Sequence, residues 1–247
     1  MATVGFVTGL TGAAGAAGAQ ARATVAGRVT ILEKDNKSSQ DLSNAVIWIE
    51  SQHRAAPAAP GTPAAPAAPA APAAHDSNPP RTLDIAIHDK IYAPRVVVAP
   101  VGSTVRFPNY DPFNHNVFSV SEGNSFDLGL FGRGETRGQT FVHAGLVRVF
   151  CNVHPRMVAY VVLVSSRFFT QPVADGSFTL ADVPPGRYRL HAWHERVPAA
   201  VTQDIVVGPG AAPAPVQIQL DARKYRFVQH KNKLGKSYPT NAGRERY

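Results

Sequence analysis

The sequence predicts an all-β protein of the sandwich kind, and three observations carry that expectation. Short runs of β-branched and aromatic residues, such as Val96-Val97-Val98, Thr104 to Phe107 and Leu146 to Phe150, are bounded by Pro and Gly. Turn signals return at short intervals, which favours packed antiparallel sheets over a parallel α/β sheet. Apolar residues at helical spacing never persist over a useful length.

Met1 to Ala21 carries no charge and is rich in Gly, Ala and Thr, with A-x-A sites at Ala17-Gly18-Ala19 and Ala19-Gln20-Ala21. It reads as a signal peptide, which implies a periplasmic or secreted protein. Residues 52–80 read as an Ala/Pro-rich linker. Within it Pro57, Pro60, Pro63, Pro66, Pro69 and Pro72 recur every third residue. Polyproline II also has three residues per turn, so the six rings would line one edge of a rod roughly 60 Å long at ~3.1 Å per residue. Such a segment cannot be a core strand, because prolines remove ladder donors. Thr82 to Ile87 alternates, and Val96 to Val98 and Thr104 to Phe107 follow as strands. Gly123 to Gly138 is glycine-rich and poorly patterned, and is expected to hold a long loop. Thr140-Phe141-Val142, Leu146 to Phe150 and Ala159 to Val164 resume the strand pattern. Residues 222–247 form a basic C-terminal tail.

A length of 247 residues suits one or two domains. The formal charge is +8, and Asp221 to Tyr247, with eight Lys/Arg against two Asp/Glu, supplies a net +6 of it. That charge suits an acidic partner protein or an anionic membrane surface, or is simply solvated. Nucleic acid is a poor candidate, since no binding motif accompanies the charge. No stretch is apolar and long enough to span a bilayer as a helix. One cysteine excludes an internal disulfide, and in an exported chain an odd cysteine asks for another role, which a metal thiolate supplies.

That cysteine sits in Cys151-Asn152-Val153-His154-Pro155-Arg156-Met157, a C-x2-H-x2-M spacing. His115 lies thirty-six residues upstream, within Asn109-Tyr110-Asp111-Pro112-Phe113-Asn114-His115-Asn116-Val117. One thiolate, two imidazoles and a thioether make the ligand set of a blue-copper electron-transfer site. Soft sulfur suits Cu(I), imidazole suits Cu(II), and a His2Cys plane with a weak axial Met serves both. Zinc is the rival metal, but thioether is a poor zinc ligand. A lone Met157 would more often be core and a lone His115 structural; the four together in this order are specific. His191 and His194 are a weaker pair: three apart on a strand, they point to opposite faces and do not chelate one ion.

These residues resemble the cupredoxin family, above all amicyanin, plastocyanin and pseudoazurin, over about Ile85 to Val164. Val101-Gly102-Ser103-Thr104-Val105-Arg106-Phe107 is similar to the family's G-x-T-V-x-F strand, and Gly145 to Cys151 to its cysteine-bearing strand. Asn152 stands where the family often has Thr or Ser. The resemblance implies a Greek-key β-sandwich over 81–164 with one type-1 copper on His115, Cys151, His154 and Met157. It implies that Asn116 ties the first ligand segment to the Cys151 loop, with Asn152 a candidate participant. It also makes His154 the electron port, its ring edge at the surface within a collar of Pro112, Phe113 and Pro155, with Arg156 adding positive charge. The outer segments resemble the transthyretin-like carboxypeptidase regulatory domain. Val25 to Val29 and Ala45 to Ile49 look like its first strands; Ala174 to Leu180 and Val183 to Leu190 look like its later ones. A smaller sandwich is thus expected from 22–51 and 165–221, with the first inserted into it.

The expected function is one-electron transfer between redox partners in the cell envelope, without enzymatic activity. Nitrite-reductase or multicopper-oxidase chemistry needs further histidine clusters such as repeated H-x-H, which are absent. Copper storage or delivery is the alternative, disfavoured by a total of two methionines. An extracellular binding or structural protein with an accessory copper centre is the other.

Overall fold

The computed structural model describes residues 21–52, 78–210 and 212–238. The expected leader, apart from Ala21, and the proline repeat lie outside the described residues. Among these, the regular elements are strands, with one short 3-10 turn at Lys34–Asn36. The all-β class read from the sequence is the observed one.

Two sheets are built from both ends of the chain. In the first, β1 (Ala23–Leu32) lies between β14 (Ser177–Val183), antiparallel, and β17 (Val216–Asp221), parallel. In the second, β2 (Val46–Ser51) lies between β13 (Phe169–Thr170) and β15 (Gly186–Trp193), and β16 (Val201–Val207) closes the edge. The Asp175-Gly176 turn holds this arrangement at one corner. Gly176 has φ +84°, the Val29 N–H donates to its carbonyl at 2.8 Å, and a Cβ there would collide with the Val29 carbonyl oxygen.

The middle of the chain forms three further sheets. β3 (Thr82–Asp84), β7 (Thr104–Pro108) and β10 (Thr136–Thr140) are ordered β10-β7-β3. β4 (Ala86–His88) and β5 (Ile91–Ala93) form a hairpin. The largest sheet runs β6-β12-β11-β8-β9, from β6 (Val96–Pro100), β12 (Val158–Val164), β11 (Gly145–Cys151), β8 (His115–Ser119) and β9 (Phe126–Phe131).

β12 explains why the apolar run from Val158 to Val164 does not alternate. Ala159, Val161 and Leu163 join an inner core with Phe107, Val117, Phe131, Phe141 and Val149. Val162 and Val164 face the opposite way and join the core of the outer sheets, with Val25, Ile47, Ile49 and Leu190; Tyr160 packs against it. A strand buried on both faces reads as continuous hydrophobic sequence. Val96 and Val97 on β6 divide the same way. The two cores therefore share one wall. Arg95 reinforces the junction, with its Nε and Nη2 donating to the two Glu195 carboxylate oxygens at 2.6 and 2.7 Å.

One expectation needs correction. Gly123 to Gly138 is no long loop, since it holds β9 and the start of β10. β9 is an edge strand whose pairing with β8 slips between Asn116 and Phe118, and Gly129 within it has φ +68°. Phe131 is buried, while Phe126 and Leu128 are half-buried against the inner core. The bulge and the glycines hide the period-two pattern that normally announces a strand.

His194 is fully buried, whereas His191 stacks on Trp48 with ring centroids 4.7 Å apart. His194 Nδ1 accepts from the Arg196 N–H, and the Arg196 guanidinium binds Glu33, Ser39 and Asp41. The pair belongs to structural networks of the outer sheets.

Candidate metal centre

His115 opens β8 and Cys151 closes β11, and these neighbouring strands pair there, with Cys151 opposite Val117. Adjacent antiparallel strands thus bring together side chains that are far apart in sequence. The turn after Cys151 returns His154. Its carbonyl accepts from the Met157 N–H at 3.2 Å, and the Met157 carbonyl accepts from the Cys151 N–H at 3.4 Å.

Three donor atoms converge. Cys151 Sγ lies 3.6 Å from His115 Nδ1 and 3.6 Å from His154 Nδ1, and the two imidazole nitrogens are 3.1 Å apart. N and S donors held about 2.0–2.3 Å from one ion at angles of about 100–110° stand roughly 3.1–3.8 Å apart, so this triangle has the size of a metal site. His115 and Cys151 are fully buried and His154 nearly so. Among the described residues this is the one cluster of three or more His, Cys, Asp or Glu able to hold a metal. Met157, also buried, belongs to the core beside it.

The donor set is held by its surroundings. His115 Nε2 lies 2.8 Å from Asp111 Oδ2, which also accepts the Lys90 N–H at 3.0 Å; the other oxygen accepts the Asp89 N–H at 2.6 Å. A carboxylate at Nε2 favours a proton there and leaves Nδ1, which faces the cluster, with a lone pair. Burial alone would raise the Asp111 pKa, but the two amides and the His115 ring outweigh it and hold the carboxyl below its usual range. Burial pushes the His115 pKa down, helped by nearby His154 and opposed by Asp111, which favours the neutral ring that a metal requires. The Val153 N–H points at Cys151 Sγ from 3.4 Å. Asn109 fixes the preceding turn: its Oδ1 accepts the Asp111 N–H, and its Nδ2 donates to the Phe113 and Phe131 carbonyls.

The other expected residues fall around this cluster. The Asn152 N–H donates to the Asn116 carbonyl at 2.8 Å, so the two ligand segments are joined through backbone. The Asn116 side chain turns away, donating to Asp127 Oδ1 and the Gly129 carbonyl. Asn152 Oδ1 accepts the Lys233 N–H at 3.0 Å. Phe113 lies against both histidines, with centroids 5.7 Å from His115 and 5.9 Å from His154, and Lys90 Nζ sits 4.9 Å from its ring. Pro112 and Arg156 are exposed and Pro155 is buried. The expected exposed edge of His154 is small, because only 5% of the residue reaches solvent.

Sequence reading misses three residues in these surroundings: Asp111 at His115, Lys233 at Asn152, and Tyr238, whose Oη donates to the Cys151 carbonyl at 2.8 Å. Asp111 has a local signal, an acid four residues before a candidate ligand in an Asp-Pro turn. Tyr238 and Lys233 have only a weak one, aromatic and polar residues interleaved in a basic tail.

The family model for polysaccharide lyase family 4, domain II matches residues 164–214. That match names a fibronectin-like β domain where the sequence suggested a transthyretin-like one. No curated protein matches. Among solved structures, a copper-containing nitrite reductase from Thermus scotoductus SA-01 is similar at 25% identity and TM-score 0.32, over 33% of this chain and 22% of that one. A reduced Cu(I) amicyanin variant at pH 4 is similar at 24% identity and TM-score 0.32, over 34% of this chain and 82% of that one. Another reduced amicyanin variant gives 23% identity and TM-score 0.31, over 38% and 87%. This chain spans under a quarter of the length of the reductase it matches. At these TM-scores the functional reading rests on the residues of the site.

Asp111→Asn is expected to weaken metal binding by about 10- to 100-fold, the usual cost of removing a partner that orients a ligating histidine. An amide keeps the shape but loses the charge and one acceptor. A competition titration against a chelator of known affinity measures the change, and an unchanged affinity would mean that Asp111 does not orient His115.

Proposed function

We propose that this is a type-1 (blue) copper protein that carries single electrons between partners in the cell envelope, as a periplasmic or secreted protein. The observation that carries the reading is the buried triangle of two imidazole nitrogens and one thiolate sulfur, with a thioether on the same short loop. Copper in such a set supplies a one-electron couple. The protein's part is to fix the donors beforehand. Asp111 orients His115, the Val153 amide faces the sulfur, and the Cys151–Met157 backbone bond closes the loop. Burial excludes water from the sulfur.

Electrons enter and leave through His154, whose ring lies 5.9 Å from that of half-buried Phe113 and whose loop carries exposed Arg156. Lys90 over Phe113 and exposed Arg156 bring two cations to that side, which suits an acidic redox partner and would make the association rate fall with salt. The outer sheets act as a docking or positioning module of the transthyretin-like or fibronectin-like kind.

Titration of the metal-free protein with Cu(II) tests the reading. An intense visible sulfur-to-copper band with a narrow hyperfine splitting is expected, blue or, with a strong axial bond, green. A colourless complex or an ordinary tetragonal spectrum overturns it. Met157→Leu should retain copper and raise the reduction potential, because a donor favouring Cu(II) is lost. Each tenfold change in that preference shifts a one-electron potential by about 59 mV. An unmoved potential would show that Met157 is not the axial ligand.

A further inference from the structure

Residues 222–238, which follow β17, fold back onto the sheets. Ala222 N–H donates to the Leu32 carbonyl at 2.8 Å, and the chain then crosses the outer face of β11. His230 stacks on Phe150 with centroids 4.5 Å apart and meets Phe118 edge-on at 6.2 Å. Asn232 then builds a tight turn. Its carbonyl accepts the Gly235 N–H, its N–H donates to the Lys236 carbonyl, and its side-chain oxygen accepts the Leu234 and Lys236 amides. Gly235 supplies the positive φ of +74° that the turn needs.

That turn presents Lys233 to both ligand-bearing segments. Its N–H donates to Asn152 Oδ1 at 3.0 Å, next to Cys151. Its Nζ reaches Asp127 Oδ2 at 2.6 Å, and Asp127 in turn accepts the side chain of Asn116, next to His115, at 2.5 Å. Five residues later Tyr238 Oη donates to the carbonyl of Cys151 itself at 2.8 Å.

We propose that residues 223–238 are a positioning strap for the metal centre, in which Tyr238 and Lys233 fix the Cys151 loop against the His115 segment. The inference rests on the copper reading for its electronic consequence but not for its contacts. Lys233 and Asp127 are 37% and 40% exposed, so their pair contributes little to global stability and is weakened by salt. What it supplies is order. The two peptide units flanking the Cys151 Cα are held, one at the Cys151 N–H by Met157 and the other at the Cys151 carbonyl by Tyr238, which limits rotation of the strand end that carries the sulfur. The two ligand segments pair as β8 and β11, and beyond the strand end the Asn152 N–H bonds the Asn116 carbonyl; Lys233 adds a side-chain bridge through Asp127. A segment that follows the last strand of the outer sheets thus contacts both ligand-bearing segments.

Tyr238→Phe and Lys233→Gln in the full-length protein separate this role from a merely structural one. In the metal-free protein, hydrogen exchange of the amides from 151 to 157 is expected to quicken roughly two- to tenfold in each variant, the effect of losing one hydrogen bond. The melting temperature should barely move. In the Cu(II)-loaded protein, the sulfur-to-copper band and the reduction potential should shift in both variants, and further in the double variant. Unchanged exchange with an unmoved potential overturns the strap. So does faster exchange with an unmoved band and potential, since the contact then only packs the surface. If the wild-type protein gives no sulfur-to-copper band, the copper reading fails, and the exchange comparison still decides whether the strap holds the loop.

Discussion

Cys151→Ser is expected to abolish the visible band completely and to weaken Cu(II) binding by orders of magnitude, leaving two imidazoles as the strong donors. A serine hydroxyl is nearly isosteric, but at neutral pH it is neither anionic nor soft, so it supplies no charge-transfer transition and little preference for Cu(I). The fold should survive. The side chain is fully buried at the end of β11, and placing a hydroxyl there costs about 1–3 kcal/mol if it finds no good partner. The Val153 N–H and the His115 and His154 rings are all near enough to provide one. Absorption, copper stoichiometry and a thermal melt of the same preparation separate the cases. A variant that keeps the wild-type band would place the chromophore elsewhere. Loss of the band through unfolding is separated from loss of the ligand by Cys151→Ala, which removes the donor without adding a buried polar group. A folded Ala variant without the band identifies Cys151 as the source of the colour, whatever happens to the Ser variant.

The candidate donors are readable in the sequence because their chemistry is local: Cys151 and His154, which the fold brings together with His115, share one turn with Met157, and three such residue types in seven positions are rare. His115 is legible only through its resemblance to a known strand, since nothing in spacing says that β8 pairs with β11. The strand class is legible wherever one face is buried, as at Val25 to Val29. β9 escapes because a bulge and Gly129 break its alternation. β12 reads as a strand, but its role as a wall between two cores does not show, because a doubly buried strand looks the same whatever covers its second face. The tail is hidden for another reason. Its contacts are single polar bonds to Cys151, Asn152 and Asp127 and a ring stack on Phe150, which impose no periodicity on either partner.

The piece from Phe168 to Asp221 is expected not to fold by itself. It lacks β1, the common partner of β14 and β17, and it lacks β2, which separates β13 from β15. Those two strands also bring Val25, Val29, Ile31, Val46, Ile47 and Ile49 to the outer core. At about 1.5–3 kcal/mol for each fully buried aliphatic side chain, their loss is on the order of 10 kcal/mol. A domain is stable by only about 5–15 kcal/mol. The bare edges of β14, β15 and β17 would then favour aggregation. Adding back Ala23 to Glu50 through a short linker should restore a cooperative unfolding transition, visible by circular dichroism or calorimetry. The shared wall adds a condition, however. Val96, Val162 and Val164 complete that same core, so the rejoined sandwich should be less stable than the full chain and should expose apolar surface where they packed. The complementary piece from Pro80 to Ser165 holds all four candidate ligands and should bind copper. It is left with the same valines facing water, and exchanging Val162 and Val164 for Thr should improve its solubility while leaving the band where the unexchanged piece, which lacks residues 223–238, has it. If the Phe168–Asp221 piece alone unfolds cooperatively, the outer sandwich is not split between the two ends of the chain. β1 and β2 would then be accessory strands whose natural packing partner is the β6–β12 wall.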